Sequence, residues 1–241
     1  ICNNGGMPFF EKDNLILPSL STPDAPTGWI EAVDLKTGLT ETLYTSCNGA
    51  PLIGPNDIVF DSSGGFWFTD HGHTRRRDRD RGGVFYATID GSHIQEVIAP
   101  MDGPNGIGLS PDGSQLYVAE TPTGRLWSFK IKHPGQIENQ KRIVPWEKGQ
   151  LIAAPEGYHL FDSLALDSLG NICVGSIPGK IDVFSPTGQQ IDRFVLPDIF
   201  PTNICFGGPE LDTAFITLSS TGRLISMKWS IQGLALNFSS A

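Results

Sequence analysis

Long helical patterns are almost absent from this chain of 241 residues. No long stretch repeats apolar residues at the i, i+3, i+4 and i+7 spacing of an amphipathic helix. No run approaches the roughly 20 apolar residues of a membrane-spanning helix. The sequence also contains no GxSxG nucleophile turn, no P-loop and no dinucleotide fingerprint. These absences argue against a helical protein, a helical membrane span, an α/β serine hydrolase and a nucleotide-binding enzyme.

Positive charge and cysteine are also scarce. The 17 Lys and Arg residues are outnumbered by 26 Asp and Glu residues, which gives a formal net charge of −9. Such a chain lacks the basic face that non-specific binding to nucleic acid or to anionic membranes requires. The four cysteines form no CxxC pair, so we expect reduced thiols, no zinc site and a cytoplasmic location. Because Ile1 is not a natural initiation residue, a lost N-terminal signal stays an alternative.

Short strand patterns closed by Gly, Asp, Pro or Ser are abundant instead. One phrase recurs as GPNDIVFDSSGGFWFTD from Gly54 and GPNGIGLSPDGSQLYVAE from Gly103, with looser copies from Phe161 and Pro201. Each copy predicts a β-hairpin with an Asp/Gly turn, and a second hairpin follows each one. Repeats spaced by roughly forty to sixty residues are typical of propeller blades. The sequence therefore predicts one all-β domain, a β-propeller over residues 1–241.

The number of blades follows from counting hairpins. Two hairpins make one four-stranded blade, and whole blades are predicted at 54–100, 103–145, 160–197 and 201–238. The outer hairpin of another blade is predicted before them, from Gly28 to Tyr44, with Ile1 and Cys2 at the end of its inner strand. Residues 8–27, which are rich in Pro and Ser, are predicted to form a long surface loop. The chain should thus contain about four and a half blades.

An oxygen-bearing side chain stands at the same position of every copy, where the inner strand begins. These residues are Asn56, Asn105, Asp162 and Asn203. A propeller brings equivalent positions of its blades together around one central channel, so we expect these oxygens to converge. Hard cations such as Ca²⁺ and Mg²⁺ take ligands of this kind. The alternative is purely structural, because Asn and Asp also begin strands by bonding the local backbone.

The three best blade sequences, GPNDIVFDSSGGFWFTD, GPNGIGLSPDGSQLYVAET and FDSLALDSLGNICVGS, resemble the senescence-marker-protein, gluconolactonase and luciferin-regenerating family. The resemblance runs from CNNGG at Cys2 through NICFGGPELDTAFITLS. It implies a six-bladed type of propeller, of which this chain would lack the first blade and about half of the second. The implied activity is metal-dependent hydrolysis of a sugar or aldonic lactone. The alternative is an inactive propeller fragment or a binding module.

The resemblance also assigns roles to individual residues by their motifs. Asn105 and Asp162 match ligands of a divalent cation, for which Ca²⁺ is favoured and Mg²⁺, Mn²⁺, Zn²⁺ and Fe are alternatives. Asp162 also matches the group that polarises or deprotonates the attacking water. Asn56 matches a residue beside the metal that contacts the substrate or a metal-bound water. His71 and Asn203 are further candidates for substrate contact.

Several positions depart from the family pattern or stay undecided. The family has a Glu ligand in an EGP-type motif, whereas Glu11 of this chain lies in PFFEKDN, which does not match. Gly54 stands where the family often has an Arg that helps to hold the substrate. Asp57 could act beside the metal or cap its turn. The departures favour the inactive alternative, while the catalytic motifs favour the enzyme.

The polar segment after the FWFTD strand has several interpretations. His71 and His73 follow this strand and should lie near the mouth of the channel. They could contact substrate, exchange protons near neutral pH, bind a transition metal or only form a polar loop. The run from Arg75 to Arg81 could attract an anionic lactone, or be solvated and neutralised by its own Asp residues.

An incomplete ring predicts self-association. The faces of its two terminal blades would be exposed, and such open sheet surfaces tend to pair. Light scattering should therefore show a homodimer or a larger species joined through the open edge. A stable monomer would contradict this expectation and would indicate that the ring closes with fewer blades.

Overall fold

The computed structural model describes residues 1–139, 144 and 148–238, and within them it forms an all-β propeller with five blades. No helix in these residues has the length and apolar character needed to cross a membrane. The first blade and the segments around it contain β1 (Cys2–Asn3), β2 (Phe9–Lys12), β3 (Leu15–Pro18), β4 (Trp29–Val33), β5 (Thr40–Tyr44), β6 (Ser46–Cys47) and β7 (Ala50–Pro51). Strands β1, β4 and β5 form its sheet, and β2–β3 and β6–β7 are separate small hairpins.

The next three blades are antiparallel sheets in which successive strands pair. The second contains β8 (Pro55–Phe60), β9 (Gly65–Asp70), β10 (Gly82–Thr88) and β11 (Ile94–Met101). The third contains β12 (Pro104–Leu109), β13 (Gln115–Glu120), β14 (Arg125–His133), β15 (Gln136–Ile137) and β16 (Gln150–Ala153), with both β15 and β16 paired to β14. The fourth contains β17 (Leu160–Leu166), β18 (Ile172–Ile177), β19 (Lys180–Phe184) and β20 (Gln190–Val195).

The fifth blade has three strands, β21 (Pro201–Gly207), β22 (Thr213–Leu218) and β23 (Arg223–Lys228). The prediction of about four and a half blades was therefore wrong. Cys2 and Asn3 pair with Ile30 and Trp29, so the N-terminal segment completes a three-stranded blade. The chain leaves the fifth sheet after Lys228, ten residues before the predicted end at 238. The predicted end of the third blade, residue 145, lies outside the described residues.

The inner hairpins of the blades were predicted correctly. The pairs Ile58 with Phe68, Ile107 with Val118 and Leu164 with Val174 stand opposite each other in the second, third and fourth blades. In each turn an Asp carboxylate accepts a backbone N–H two residues later, as when Asp61 Oδ1 accepts the Ser63 amide at 2.8 Å. This local bond is why the recurring Asp marks a turn.

Residues 8–27, predicted to be a surface loop, contain the β2–β3 hairpin. Asp13 and Asn14 form its two-residue turn with φ of 54° and 61°, which is the signature of a type I′ turn. The Ile16 amide donates to the Ser220 carbonyl at 2.9 Å. The hairpin therefore extends from the first blade to the fifth.

Apolar contacts between neighbouring blades make the core. Each pair of adjacent sheets shares one hydrophobic cluster, and their best-buried large side chains include Phe68, Trp67, Phe129 and Phe161. Four such clusters link the five sheets in chain order, and the inner strands β8, β12, β17 and β21 lie side by side around the channel.

The segment 229–238 crosses the end of the channel at which the inner strands finish. The Leu234 amide donates to the Leu166 carbonyl at 2.9 Å, at the end of β17. Farther along, the Asn237 side-chain amide donates to the Phe60 carbonyl at 2.9 Å, at the end of β8. The segment thus connects the fourth blade to the second.

The inner strands β12 and β17 of neighbouring blades approach each other closely at Gly106. A Cβ on Gly106 would lie 2.6 Å from the Leu164 nitrogen and 2.7 Å from the Asp162 carbonyl oxygen. Real Cβ atoms do not approach backbone this closely, so the two strands require glycine at this position.

Gly106→Ala should therefore destabilise the protein by about 1–3 kcal/mol, because backbone and not a flexible side chain must move. Urea unfolding measures this change. Gly54→Ala is the matched control, since its Cβ would find its nearest atoms at 3.5 Å, an ordinary contact. The control should change stability by less than about 1 kcal/mol. Equal effects of the two substitutions would contradict the packing argument.

Candidate functional site

All predicted site residues lie on one face of the propeller, called here the site face, at which β8, β12, β17 and β21 begin. Asn56, Asn105, Asp162 and Asn203 each stand within the first three residues of these strands. The loop 71–81 belongs to the same face, because it connects the end of β9 to the start of β10. The propeller therefore brings the four leading polar residues of the repeat together on one face, as the repeat predicted.

Carboxylates at the ends of the second strands hold the site face in place. Asp70 accepts the amides of Ile53 and Gly54 at 2.7 and 2.8 Å, just before β8. Glu120 accepts the Asp102 amide at 2.8 Å, just before β12. These bonds fix the points at which the inner strands enter the channel.

Asn105 presents an oxygen without a partner. The side chain is 5% exposed, and its Nδ2 donates to Thr121 Oγ1 at 3.1 Å. Its Oδ1 is buried and accepts no hydrogen bond from any described residue. The Thr69 hydroxyl donates to the Asn105 carbonyl at 2.7 Å and fixes the backbone. A buried oxygen without a donor is costly, and it is a signature of a bound ligand or ion.

Asp162 stands at the same level on the next inner strand. Its Oδ1 accepts the Ser163 amide at 3.0 Å. Burial raises the pKa of Asp162 to about 7, and the negative charge of Asp57 adds to this effect, while a hydrogen bond from the Asn105 side chain opposes it. The carboxyl group thus titrates near neutral pH.

Asp57 joins three inner strands, a role that sequence reasoning left undecided. Its Oδ2 accepts the Ser163 hydroxyl at 2.8 Å and the Ile107 amide at 3.2 Å, while Oδ1 accepts the amide of Ile58 at 2.9 Å. Burial raises the pKa of Asp57 to about 6 in spite of these bonds. Ser163 was missed from the sequence, although the repeat places it at the position equivalent to Asp57.

The other predicted site residues lie on the site face without bonding to this cluster. Asn56 is half-buried and Asn203 is exposed, and neither side chain has a hydrogen bond among the residues described. His71 is half-buried, and its ring Nδ1 lies 3.0 Å from the Gly72 carbonyl. His73 turns away toward the N-terminal loop, where its Nδ1 lies 3.1 Å from Ser21 Oγ.

A cavity of about 540 Å³ runs along the inner strands below the site face. Asp57, Ser163 and Asn203 line it, and Leu234 and Asn237 of the crossing segment lie at its other end. Its volume is in the range of small-molecule sites.

The donor set fits a hard divalent cation better than a softer one. Among the described residues no three His, Cys, Asp or Glu side chains form a group that could hold a metal. Amide and carboxylate oxygens are present instead, with the unpartnered Asn105 Oδ1 beside the Asp162 carboxylate. Oxygen ligands of this kind, completed by water, suit Ca²⁺ or Mg²⁺.

Residues 22–220 match the family described as the SMP-30/Gluconolactonase/LRE-like region. The chain belongs to this family. It is 34% identical to diisopropyl-fluorophosphatase of Loligo vulgaris over 239 residues, covering 90% of the chain and 73% of that protein. It is 31% identical to 6-deoxy-6-sulfogluconolactonase of Pseudomonas putida over 198 residues, covering 80% of the chain and 64% of that enzyme.

Among solved structures, a gluconolactonase from Xanthomonas campestris superimposes with a TM-score of 0.66 at 25% identity. The match covers 82% of this chain and 64% of that one. The chain thus spans slightly less than two thirds of both lactonases. The family resemblance expected from the blade motifs is confirmed.

The raised pKa values predict how stability depends on pH. Asp57 and Asp162 hold protons more tightly when folded, so their contribution to stability is complete below the ordinary carboxyl pKa near 4. It is lost as the pH rises through about 6 and 7. In the unmodified protein, ionisation of Asp57 should lower the free energy of unfolding by at most about 3 kcal/mol between pH 4 and 7. Asp57→Asn should abolish this decrease, as measured by urea unfolding with a chelator present.

Asp112→Asn is the control for this experiment. The hydrogen bond from the Ser110 hydroxyl lowers the pKa of Asp112, so Asp112 does not titrate between pH 4 and 7. The Asp112→Asn protein should therefore show the same decrease in stability over this range as the unmodified protein. An Asp57→Asn protein that loses stability as steeply as the unmodified protein would contradict the argument.

Proposed function

We propose that the protein hydrolyses the internal ester of a sugar or aldonic lactone with the help of a divalent cation. The observation that carries the proposal is the Asn105 side-chain amide beside Asp162 on the site face, with a buried Oδ1 that has no partner among the described residues. Family membership supports the reaction class, since the relatives include lactonases.

Asn105 and Asp162 would hold the cation, with Asn56 alongside, and Ca²⁺ is the favoured ion because every donor is an oxygen. When bound, such a cation polarises a carbonyl group as a Lewis acid. The surrounding protein already stabilises this arrangement, because Thr69 and Thr121 fix Asn105 from two sides.

Asp162 is the proposed general base. Burial raises its pKa to about 7 when no cation is bound, and a bound cation would lower it again because it stabilises the carboxylate. Asp162 would take a proton from the attacking water as the water oxygen bonds to the lactone carbonyl carbon. The proton would then pass to the ring oxygen as the acyl C–O bond breaks, giving an open-chain hydroxy acid.

The remaining polar residues would position the substrate. Asn56, Asn203 and His71 offer amide and imidazole groups on the site face, and these can donate to or accept from sugar hydroxyls. Asp57 acts indirectly in this proposal, because its bonds to Ser163 and Ile107 hold three inner strands in register.

Two measurements test the proposal together. Elemental analysis should find a divalent cation in the purified protein, and pH-monitored assays on a panel of small lactones should show hydrolysis above background. Asp162→Asn should lower kcat/KM by about 10²–10⁴-fold and should reduce the metal content. Asp112→Asn, in the hairpin turn at the far end of β12, should change neither.

Two outcomes would contradict the proposal in different ways. A protein with no bound metal and no rate above background does not have the proposed activity. Full activity in Asp162→Ala would show that the mechanism is wrong even though the protein is a lactonase.

A further inference from the structure

Arg79 lies half-buried in the loop between β9 and β10. Its Nε and Nη2 are buried and make no hydrogen bond to any residue that the structure describes. Two other arginines of the same loop are paired. Arg75 bonds Asp78 and Asp80 at 2.6 and 2.7 Å, and Arg81 Nε lies 3.1 Å from Asp102 Oδ1.

The nearest acids do not neutralise Arg79, because other groups already occupy them. Asp102 faces Arg81 and also accepts from Lys148 Nζ at 2.8 Å. Glu120 is buried and accepts from Lys148 as well. Three cations therefore share these two carboxylates, and Asp80, whose charge also acts on Arg79, is already bonded by Arg75. A half-buried positive charge of this kind is costly unless an anion joins it.

His71 and Arg79 converge on one point beside the start of β12. A Cβ on Gly103 would collide with Arg79 Nη2 and lie 3.0 Å from His71 Nε2. Gly103 comes two residues before Asn105, so this point adjoins the proposed reaction centre. Both His71 and Arg79 are half-buried, and because Arg79 Nε and Nη2 are buried, a ligand would contact the part of the Arg79 side chain that stays accessible.

We propose that Arg79 and His71 form a subsite for an oxyanion group carried by the substrate. A carboxylate, sulfonate or phosphate group would accept hydrogen bonds from the guanidinium, whose planar donors suit such groups. The proposal rests on the proposed lactone hydrolysis and narrows its substrate to a lactone that bears a negatively charged substituent.

The other arginines of the Arg75–Arg81 run do not combine burial with the lack of a carboxylate partner. Arg76 and Arg77 are exposed, so water solvates their charges. Arg79 differs from them by burial and from Arg75 by the absence of a carboxylate partner. Arg76 is therefore a matched control for charge and for position in the same loop.

Binding of inorganic sulfate, measured by calorimetry at constant ionic strength, tests the subsite without any assumption about activity. Arg79→Gln should weaken sulfate binding at least tenfold, the expected effect of losing a charge-assisted hydrogen bond. Arg79→Lys should bind with intermediate affinity, because it keeps the charge without the planar donors. Arg76→Gln should bind like the unmodified protein, and the urea midpoints of all variants should show that they fold.

A kinetic measurement then asks whether the anion belongs to the substrate. KM is compared for a lactone with a carboxylate substituent and a neutral lactone of the same ring size. Arg79→Gln should raise the first KM at least tenfold more than the second, and Arg76→Gln should leave both unchanged.

The outcomes separate the two proposals. Equal sulfate binding by the unmodified protein, Arg79→Gln and Arg76→Gln would overturn the subsite. Sulfate binding that depends on Arg79, without a difference between the two lactones, would overturn the assignment to the substrate and indicate a site for free anions. Sulfate binding that depends on Arg79 in a protein that hydrolyses no lactone would support the subsite and reject the proposed function.

Discussion

The bonds from carboxylates at the ends of β9 and β13 to the backbone before β8 and β12 are the constraint on which the site depends. Asp70 accepts two amides and Glu120 one amide from the segment that leads into the inner strand of its own blade. A propeller core fixes whole sheets, but it does not by itself set where a strand begins. These bonds set that point, and the oxygens of Asn56 and Asn105 then stand at equal depth around one channel.

Desolvation links the chemistry of the site to this architecture. The same packing that brings β8, β12 and β17 together partly buries Asp57 and Asp162, and this desolvation raises the pKa of both. Sites of this kind cost stability and are kept where a ligand or a reaction uses them. The unpartnered donors of Arg79 have a similar origin, since they lie among described groups whose hydrogen bonds are already made.

The sequence predicted the parts of the structure that depend on local pattern. The turn residue Asp61 and its equivalents predicted the inner hairpins correctly. The repeat predicted that its four leading polar residues lie on one face. The number of blades was missed because Cys2 and Asn3 form too short a strand to show alternation. The Asp13-Asn14 turn was a usable signal that the surrounding Pro and Ser residues obscured. Ser163, and the difference between Arg79 and the other residues of the Arg75–Arg81 run, became evident only from contacts between distant segments, which no local pattern records.

The segment 229–238 has a consequence for molecules that enter the channel. Its bonds to the ends of β17 and β8 place backbone across the channel on the side away from the site. A molecule bound at the site face would therefore meet this backbone at the other end of the channel. In the proposed reaction an ester becomes a carboxylate, so the product would carry one more negative charge than the molecule that entered. The positive charge of Arg79 on the site face would then attract the product more strongly than the substrate.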